Sequence, residues 1–314
     1  MFLWLCERIV AGLEEQAQIK VFYNTGILNI DTRDSDFLQN VIASANKFSL
    51  PVEILSAKEV NERWQGFDLH DNLIGCFEST SGVLLSEEAI MAYRELTLKN
   101  DAILYSDTKV EKIDVKDSIV EVSFNDKKIS ADNMLITAGK GTNKILSLLS
   151  LELPLTPIRK TFSWFNSNEN IYNSTVFPAW SYDDGNQTYY GFPSIDNAGI
   201  KIGRHDGDIP VDAANPLEAF GSYPIYKHDV LNFTQKHFSH LGIHKLGRVC
   251  TYTNSPDGDI IIDRLPSNNN IFVACGFSGH RFEFGSVIGE ILSQLMLDGF
   301  SALDISAFSL SRFK

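Results

Sequence analysis

The sequence predicts an α+β protein in which an α/β part alternates along the chain with an antiparallel part. Before residue 150 and near the C-terminus, short helical patterns alternate with short apolar strands, which is the pattern of α/β units. Between Pro154 and Tyr252 the strands are longer, aromatic and alternating, as in "RKTFSWF", "TYYGFP" and "GIKIGRH", which indicates an antiparallel sheet. A third observation is a strand, a glycine-rich loop and a helix start between Ile271 and Leu295.

The elements before Pro154 are predicted from residue spacing and caps. An N-terminal amphipathic helix follows from apolar residues at helical spacing, namely Phe2, Leu5, Cys6, Ile9, Val10 and Leu13. Three further helices are predicted in 34–48, 56–64 and 86–99, the second with a capping box from Ser56 to Glu59 and the third with a cap at Ser86. The predicted strands are a pair in 19–30, one each in 102–106, 109–115 and 118–124, and a buried strand that leads into a glycine turn and a helix in 131–149.

Composition limits the classes of partner. The 314-residue chain, with 44% hydrophobic residues, is long enough for two packed domains. Nucleic acid is not expected as a partner, because phosphate binding needs a basic footprint and the formal charge is −13. No apolar segment approaches the roughly 20 residues that cross a bilayer, so no membrane partner is expected. The four cysteines form no CxxC pair, which favours a reduced, cytoplasmic setting.

Few local motifs carry chemistry. The sequence has no GxGxxG, no Walker loop, no HExxH and no His/Cys cluster with metal spacing. "GKGTNK", which starts at Gly139, has a lysine where the third small residue of a dinucleotide loop should be. A triad of Ser278, His280 and Asp263 stays open as an alternative, although "GFSGH" lacks the spacing of a nucleophile elbow.

The stretch "CGFSGHRFEFGSVIGE", Cys275 to Glu290, predicts a binding site. It follows an apolar strand and leads into a helical pattern, and this arrangement presents backbone N–H groups to an anionic or polar cofactor. A nucleotide site usually opens its domain, whereas this stretch lies near the C-terminus. We therefore expect it to close a domain.

Two patterns in the antiparallel part bear on a possible site. In "GIKIGRH", strand alternation puts Lys201, Gly203 and His205 on one face, where a flat ring could pack between the two cationic side chains. From spacing alone, a solvated strand face is the favoured interpretation, and a small cationic pocket is the alternative. Cys250 lies near a strand end, two residues before Tyr252, and a lone buried cysteine is usually a small apolar filler.

Seven stretches together resemble the monomeric sarcosine oxidase family, and most closely its N-methyl-L-tryptophan oxidase branch. They are "NTGILNI", "FESTSGVLLSE", "TYYGFP", "IKIGRH", "CTYTNSPDGDIIIDRLP", "FVACGFSGHRFEF" and "LSRFK". The similarity spans essentially the whole chain in the family's order. It implies an FAD fold of the glucose-oxidase and D-amino-acid-oxidase type, and an enzyme that oxidises an N-methyl amino acid to an imine with O₂. Hydrogen peroxide and, after hydrolysis, formaldehyde are the implied products, and the enzyme is expected to be a monomer.

The resemblance also implies roles for individual residues. Cys250 matches the cysteine that bonds covalently to the flavin ring, and Lys201 matches the lysine that holds a water above the ring and activates O₂, since a fixed positive charge stabilises superoxide. His205, Tyr190 and Tyr252 match residues around the substrate. The other residues that it assigns to the cofactor are Val110, Gly139, Gly276, Phe277, Ser278, Gly279 and His280.

Two departures from the family pattern stand out. Family members begin with a strand, a dinucleotide-binding glycine loop and a segment that bears arginine and histidine, and this sequence starts after them. The fold is therefore expected to be N-terminally incomplete, with an unpaired strand position and an exposed apolar patch, and the 314-residue chain is expected not to hold stoichiometric FAD. In the substrate-binding loop, Arg281 and Glu283 stand where the family has glycine and lysine, so Glu283 reverses the charge expected to hold the substrate carboxylate.

Two hypotheses follow. The first is an FAD-dependent amine oxidase, and the second is a non-catalytic remnant of such an oxidase that cannot bind FAD. An in-frame GxGxxG upstream of Met1 would favour the enzyme. In the predicted domain division, residues 79–150 and 250–314 form the flavin-binding part, and residues 1–78 and 151–249 form the substrate part.

Overall fold

The structure is a computed structural model that describes residues 2–207, 209–279 and 282–313. The described helices are α1 (Phe2–Ala17), α2 (Asp36–Phe48), α3 (Ala57–Arg63), α4 (Ser86–Lys99), α5 (Thr142–Leu146), α6 (Glu169–Tyr172), α7 (Pro224–His237) and α8 (Gly285–Leu297). The strands before the long antiparallel part are β1 (Phe22–Tyr23), β2 (Ile27–Thr32), β3 (Val52–Ser56), β4 (Leu73–Glu78), β5 (Val83–Leu84), β6 (Lys112–Lys116), β7 (Ile119–Phe124), β8 (Lys127–Ala131) and β9 (Met134–Ile136). The later strands are β10 (Thr156–Phe165), β11 (Ala179–Asp183), β12 (Thr188–Phe192), β13 (Ile200–Arg204), β14 (Ile209–Pro210), β15 (His244–Asn254), β16 (Ile261–Leu265) and β17 (Asn268–Cys275).

A large, mostly antiparallel sheet forms the centre of the fold. Its strands run in the order β14-β10-β13-β12-β11-β2-β4-β3, and β15 pairs with the other edge of β10. The pairing of β11 with β2 is parallel, whereas the other pairs in this sheet are antiparallel. The sheet therefore joins strands from 27–78 with strands from 156–254 in one surface.

One face of the large sheet is covered by helices. Val60 of α3 and Phe233 of α7 belong to the same buried cluster as the sheet residues Trp180, Tyr189 and Ile202. The Tyr189 and Phe233 rings stack with their centroids 3.8 Å apart. Because successive strand residues point to opposite faces, the residues between these core positions are left on the other face.

Two smaller three-stranded sheets complete the α/β part. The first has the strand order β16-β17-β9, and β17 pairs in parallel with β9. Among the described strands, β9 forms one edge of this sheet. The other order is β6-β7-β8. Helix α8 packs its buried face, with Ile291 and Leu292, on Ile262 and Ala274 of β16 and β17. Helix α1 contacts both α4 and α8, so it joins the segments 79–150 and 250–314; the predicted domain division itself stays a prediction.

Most of the elements predicted from the sequence are present, and the α+β class is confirmed. The capping box of α3 is present, with Ser56 Oγ accepting from the Glu59 N–H and a Glu59 carboxylate oxygen accepting from the Ser56 N–H. The two strands in 19–30 form, but β1 pairs with β5 and β2 pairs with β4 and β11, so they are not a pair with each other.

Two further predictions before Pro154 were wrong, and one strand was missed. Residues 102–106 are not a strand, since Ile103 is 75% exposed and the segment has no ladder partner among the described strands. Ser86 does not cap α4, because it is the first residue of the helix and Leu85 is the N-cap without a side-chain bond. Strand β8 was missed because it is polar and exposed along its whole length. As for membranes, no helix in the described part of the chain is both long and apolar enough to span a bilayer.

Candidate functional site

The face of the large sheet opposite the helices brings the sequence-predicted residues together. We call it the sheet face, and it is defined by Tyr190 and Phe192 of β12, Lys201 and Gly203 of β13, Lys160, Phe162 and Trp164 of β10, and Cys250 and Tyr252 of β15. The strand register shows that these positions adjoin, because Gly203 pairs with both Phe162 and Tyr190, and Lys160 pairs with Cys250. Directly paired residues of neighbouring strands point to the same side. Four strands therefore contribute side chains to one surface.

Lys201 lies among aromatic rings on the sheet face. Its Nζ is 4.5 Å from the ring centroid of Phe162, 5.3 Å from that of Phe192 and 5.4 Å from that of Trp164. Burial lowers the pKa of Lys201, and electrostatic interactions with Cys250 and Glu87 oppose this shift. Lys201 is half-buried, so this strand face is not fully solvated at the lysine, and its role as a pocket stays a prediction.

Tyr190, Tyr252 and His205 form a second group beside the lysine. The two phenol groups are hydrogen-bonded, and burial is the main cause that raises the pKa of Tyr190 to about 12. The His205 ring lies 5.7 Å from the Tyr252 ring, centroid to centroid. Tyr190 is therefore neutral at physiological pH, so it can donate and accept hydrogen bonds without adding charge.

Cys250 is half-buried among cations. Burial raises the pKa of its thiol, while the positive charges of Lys201, Lys160 and Arg159 act in the opposite direction. Arg159 is the neighbour of Lys160 on β10 and is itself buried. Cys250 therefore lies within the electrostatic influence of three cations, and its role stays a prediction.

Two glycines let the tyrosine rings lie close to the backbone. A Cβ on Gly203 would lie 2.5 Å from the ring of Tyr190, and a Cβ on Gly279 would lie 2.1 Å from the ring of Tyr252. Gly279 also has φ +83°, a conformation that side-chain-bearing residues rarely adopt. Each ring therefore occupies the space that a larger residue would need.

The glycine-rich loop after β17 lies beside the end of β15. The Ser278 N–H donates to the Thr253 carbonyl at 3.2 Å, and Ser278 Oγ accepts from the Ser255 N–H at 3.3 Å. Gly276 has φ +66°, and Phe277 packs against the cluster that includes Ile291 of α8. Of the predicted loop residues, His280 and Arg281 lie outside the described residues.

The other predicted residues lie at the margins of the sheet face or away from it. The turn Gly139–Gly141 contacts β15, whereas Val110 packs in the cluster beneath the β6-β7-β8 sheet. Glu283 lines a cavity of about 170 Å³ with residues of α1 and α4, including Val10, Leu13 and Tyr93. Among the described residues, none of the sheet face lines that cavity. The substrate role of Glu283 stays a prediction.

The alternative triad is not supported by the contacts of its described members. Asp263 accepts from Ser309 Oγ and from the Leu310 N–H, both at 2.8 Å, so it anchors the C-terminal segment. Ser278 Oγ donates to the Gly276 carbonyl at 3.1 Å within its own loop. In the described ranges, no cluster of three or more His, Cys, Asp or Glu could hold a metal ion.

Sequence reasoning missed Lys160, Phe162, Trp164 and Phe192 as members of the sheet face. A signal was present, because alternation in "RKTFSWF" puts Lys160, Phe162 and Trp164 on one face of β10. That β10 lies between β13 and β15 could not be read from the sequence, because it depends on pairing between strands about 40 to 90 residues apart.

Comparison with known proteins identifies what the chain is similar to. The family profile described as "FAD dependent oxidoreductase" matches residues 2–295. Monomeric sarcosine oxidase from Bacillus sp. (strain B-0618) is 37% identical over 303 residues, which are 96% of this chain and 78% of the relative. N-methyl-L-tryptophan oxidase from Yersinia pestis (strain Pestoides F) is 35% identical over 303 residues, again 96% of this chain and 80% of the relative.

Solved structures show the same fold at low sequence identity. The open form of a Tyr258Phe mutant of NikD, an unusual amino acid oxidase essential for nikkomycin biosynthesis, matches with a TM-score of 0.85 at 16% identity and covers 98% of this chain and 82% of its own. L-proline dehydrogenase from P. horikoshii matches with a TM-score of 0.86 at 19% identity, over 99% of this chain and 82% of its own.

Proposed function

Because the chain belongs to the family of FAD dependent oxidoreductases, we propose that it oxidises the secondary amine of an N-methyl amino acid with O₂. The overall reaction converts the N-methyl amine and O₂ into an imine and H₂O₂, and water then splits the imine into formaldehyde and the primary amine. Sarcosine-like and N-methyl-L-tryptophan-like amines are the candidate substrates, since they appear in the names of relatives at 35–37% identity. A monomer is proposed on the same ground.

The protein is an FAD-dependent amine oxidase, and we propose that its flavin lies on the sheet face. Asn254 lies two residues after Tyr252 on β15, and its buried Oδ1 has no hydrogen-bond partner among the described residues. A buried acceptor without a partner is costly, so a donor on a bound polar ring would satisfy it.

When bound, FAD supplies a two-electron acceptor for the amine and a donor for O₂. The Gly276–Gly279 loop and the start of α8 at Gly285 are proposed to hold its polar end, since backbone N–H groups and the positive end of a helix favour negative charge. We assign to Lys201 the activation of O₂, because a desolvated ammonium stabilises a developing anion far better than water does.

The remaining residues are proposed to orient the substrate and attach the cofactor. Tyr190 and Tyr252 present hydroxyl groups that are hydrogen-bonded to each other, and aromatic rings flank Lys201. Cys250 is proposed to bond covalently to the flavin. Such a bond would replace the thiol S–H and one C–H of a flavin methyl group, with O₂ as the oxidant that takes up the two protons and two electrons.

The observation that carries the proposal is that one sheet face holds Lys201, Tyr190, Tyr252 and Cys250 together. The test is a peroxidase-coupled assay of H₂O₂, with formaldehyde measured in parallel, after incubation with sarcosine or N-methyl-L-tryptophan. Glycine and L-tryptophan serve as matched controls that lack the N-methyl group. We expect H₂O₂ and formaldehyde in equal amounts with an N-methyl substrate only. Protein that contains FAD but produces neither would contradict the proposal, and so would protein that binds no FAD when it is supplied.

A further inference from the structure

Lys160 is a buried cation in the sheet face. The residue is only 4% exposed, and its Nζ donates to the backbone carbonyls of His205 and Asp206, the second at 3.0 Å. The same Nζ lies 5.5 Å from the centroid of the Tyr252 ring. Burying an ammonium group is costly unless hydrogen bonds hold it. The two carbonyls therefore fix a positive charge at one place in the site.

The strand register puts this charge beside Cys250. Lys160 and Cys250 are direct partners in the antiparallel pairing of β10 and β15, so their Cβ atoms are expected about 5 Å apart on the same face. Lys201 is paired with Trp164, four residues further along β10. Lys160 is thus the lysine that the backbone itself places opposite the cysteine.

We propose that Lys160 is a positioning residue that stabilises the thiolate form of Cys250 and so prepares it to bond to the flavin. A thiolate is the nucleophile, whereas a thiol is not, and burial of Cys250 favours the thiol. A fixed positive charge opposite the sulfur counteracts that effect. The consequence for the cofactor rests on the proposed attachment, but the charge state of Cys250 belongs to this chain alone.

Lys160 offers a cleaner test than Lys201. The groups that influence Cys250 are Lys201 from β13, Lys160 and Arg159 from β10, and the Tyr190 phenol from β12. Lys201 has the largest effect among the cations, yet it is also assigned to O₂ activation, so its removal would change two properties at once. Replacing Lys160 changes the charge next to the sulfur and leaves the proposed O₂ site intact.

The experiment measures how fast iodoacetamide alkylates Cys250 in flavin-free protein between pH 6 and 10, by mass spectrometry of the peptide. Lys160→Gln keeps a donor for the two carbonyls but removes the charge, whereas Lys160→Arg keeps the charge. One nearby unit charge shifts the pKa of a part-buried group by about one unit. We therefore expect Lys160→Gln to slow alkylation at pH 8 about tenfold, and Lys160→Arg to react like the wild type.

Two controls make the result decisive. Lys245 lies on the same strand as Cys250, and its Nζ donates to the Ala198 carbonyl at the surface. Lys245→Gln should therefore leave the alkylation rate of Cys250 unchanged. Alkylation of the fully buried Cys76 reports unfolding. If Cys76 is alkylated in Lys160→Gln, Lys160→Met is measured instead, because methionine is also uncharged and is similar in size to lysine. Equal pH profiles for the wild type and the folded, uncharged variant would overturn the proposal. A failure of the protein to bind FAD would count against the proposed function but leave this result standing.

Discussion

Lys201 and Trp164 are direct partners across β13 and β10, and the lysine Nζ lies 5.4 Å from the centre of the indole ring. The rings of Phe162 and Phe192 surround the same ammonium at 4.5 and 5.3 Å. Cation–π attraction holds the charge, and partial burial lowers the pKa of the lysine. The result is a cation that can respond strongly to negative charge formed next to it.

Lys201→Met in the flavin-loaded protein should slow the reoxidation of reduced flavin by O₂ about 10²–10³-fold, because it removes a charge that acts in the transition state. Flavin reduction by the substrate should change far less, since the amine does not require that charge. Stopped-flow absorbance measures the two half-reactions separately. Equal losses in both half-reactions would show that Lys201 supports the site in general, and Lys245→Met provides the matched surface control.

The sequence predicts one part of this site, the residues of β13, but not the other part, the residues of β10. The alternation in "GIKIGRH" is enough by itself to put Lys201 and Gly203 on one face, because the period of a strand is fixed by its backbone. The neighbours Trp164 and Phe162 could not be assigned to that face, since they reach it through long-range strand pairing. The same limit explains why β1 and β2 were expected to pair with each other although each pairs elsewhere.

Gly203→Ala should destabilise the protein and disturb the site. The new methyl group would lie 2.5 Å from the Tyr190 ring, so the ring or the strand must move, and such overpacking costs about 1–3 kcal/mol. Urea unfolding should show a lower free energy of unfolding, and any bound flavin should show a changed absorbance spectrum. Gly289→Ala in α8 is the control, because nothing lies within 4 Å of its new Cβ, and it should be neutral or stabilising by up to about 1 kcal/mol.

Glu283→Lys tests whether the predicted substrate loop holds the substrate carboxylate. Replacing a repelling charge by an attracting one should lower the apparent KM for N-methyl amino acids about tenfold or more. Glu283→Gln removes the repulsion without adding attraction, so its KM should fall between the two. Steady-state H₂O₂ production at varied substrate concentration measures both variants. An unchanged KM in both would assign Glu283 to the cavity between α1 and α4 that it lines, with no part in substrate binding.

His237 lies on the other side of the sheet, at the end of α7, and makes the stability of the folded protein depend on pH. The residue is 7% exposed, and its Nε2 lies 3.3 Å from the Tyr182 hydroxyl. Burial lowers its pKa from 6.5 to about 4, with a further contribution from the charge of His70; Lys236 acts in the same direction, and Asp184 and Asp68 oppose it. The imidazole is therefore neutral in the folded protein at pH 7.

Acid should destabilise the fold through His237. Since the folded pKa of about 4 lies below the unfolded value of 6.5, the unfolded chain takes up the proton first, and stability is lost as pH falls from 6.5 to 4. Between pH 7.5 and pH 5 this group should remove about 2 kcal/mol from the free energy of unfolding. His237→Gln should reduce that loss by the same amount in urea titrations at the two pH values, whatever its effect at pH 7.5. The exposed His228 on the same helix provides the control; if His228→Gln changed the pH dependence equally, burial of His237 would not be its cause.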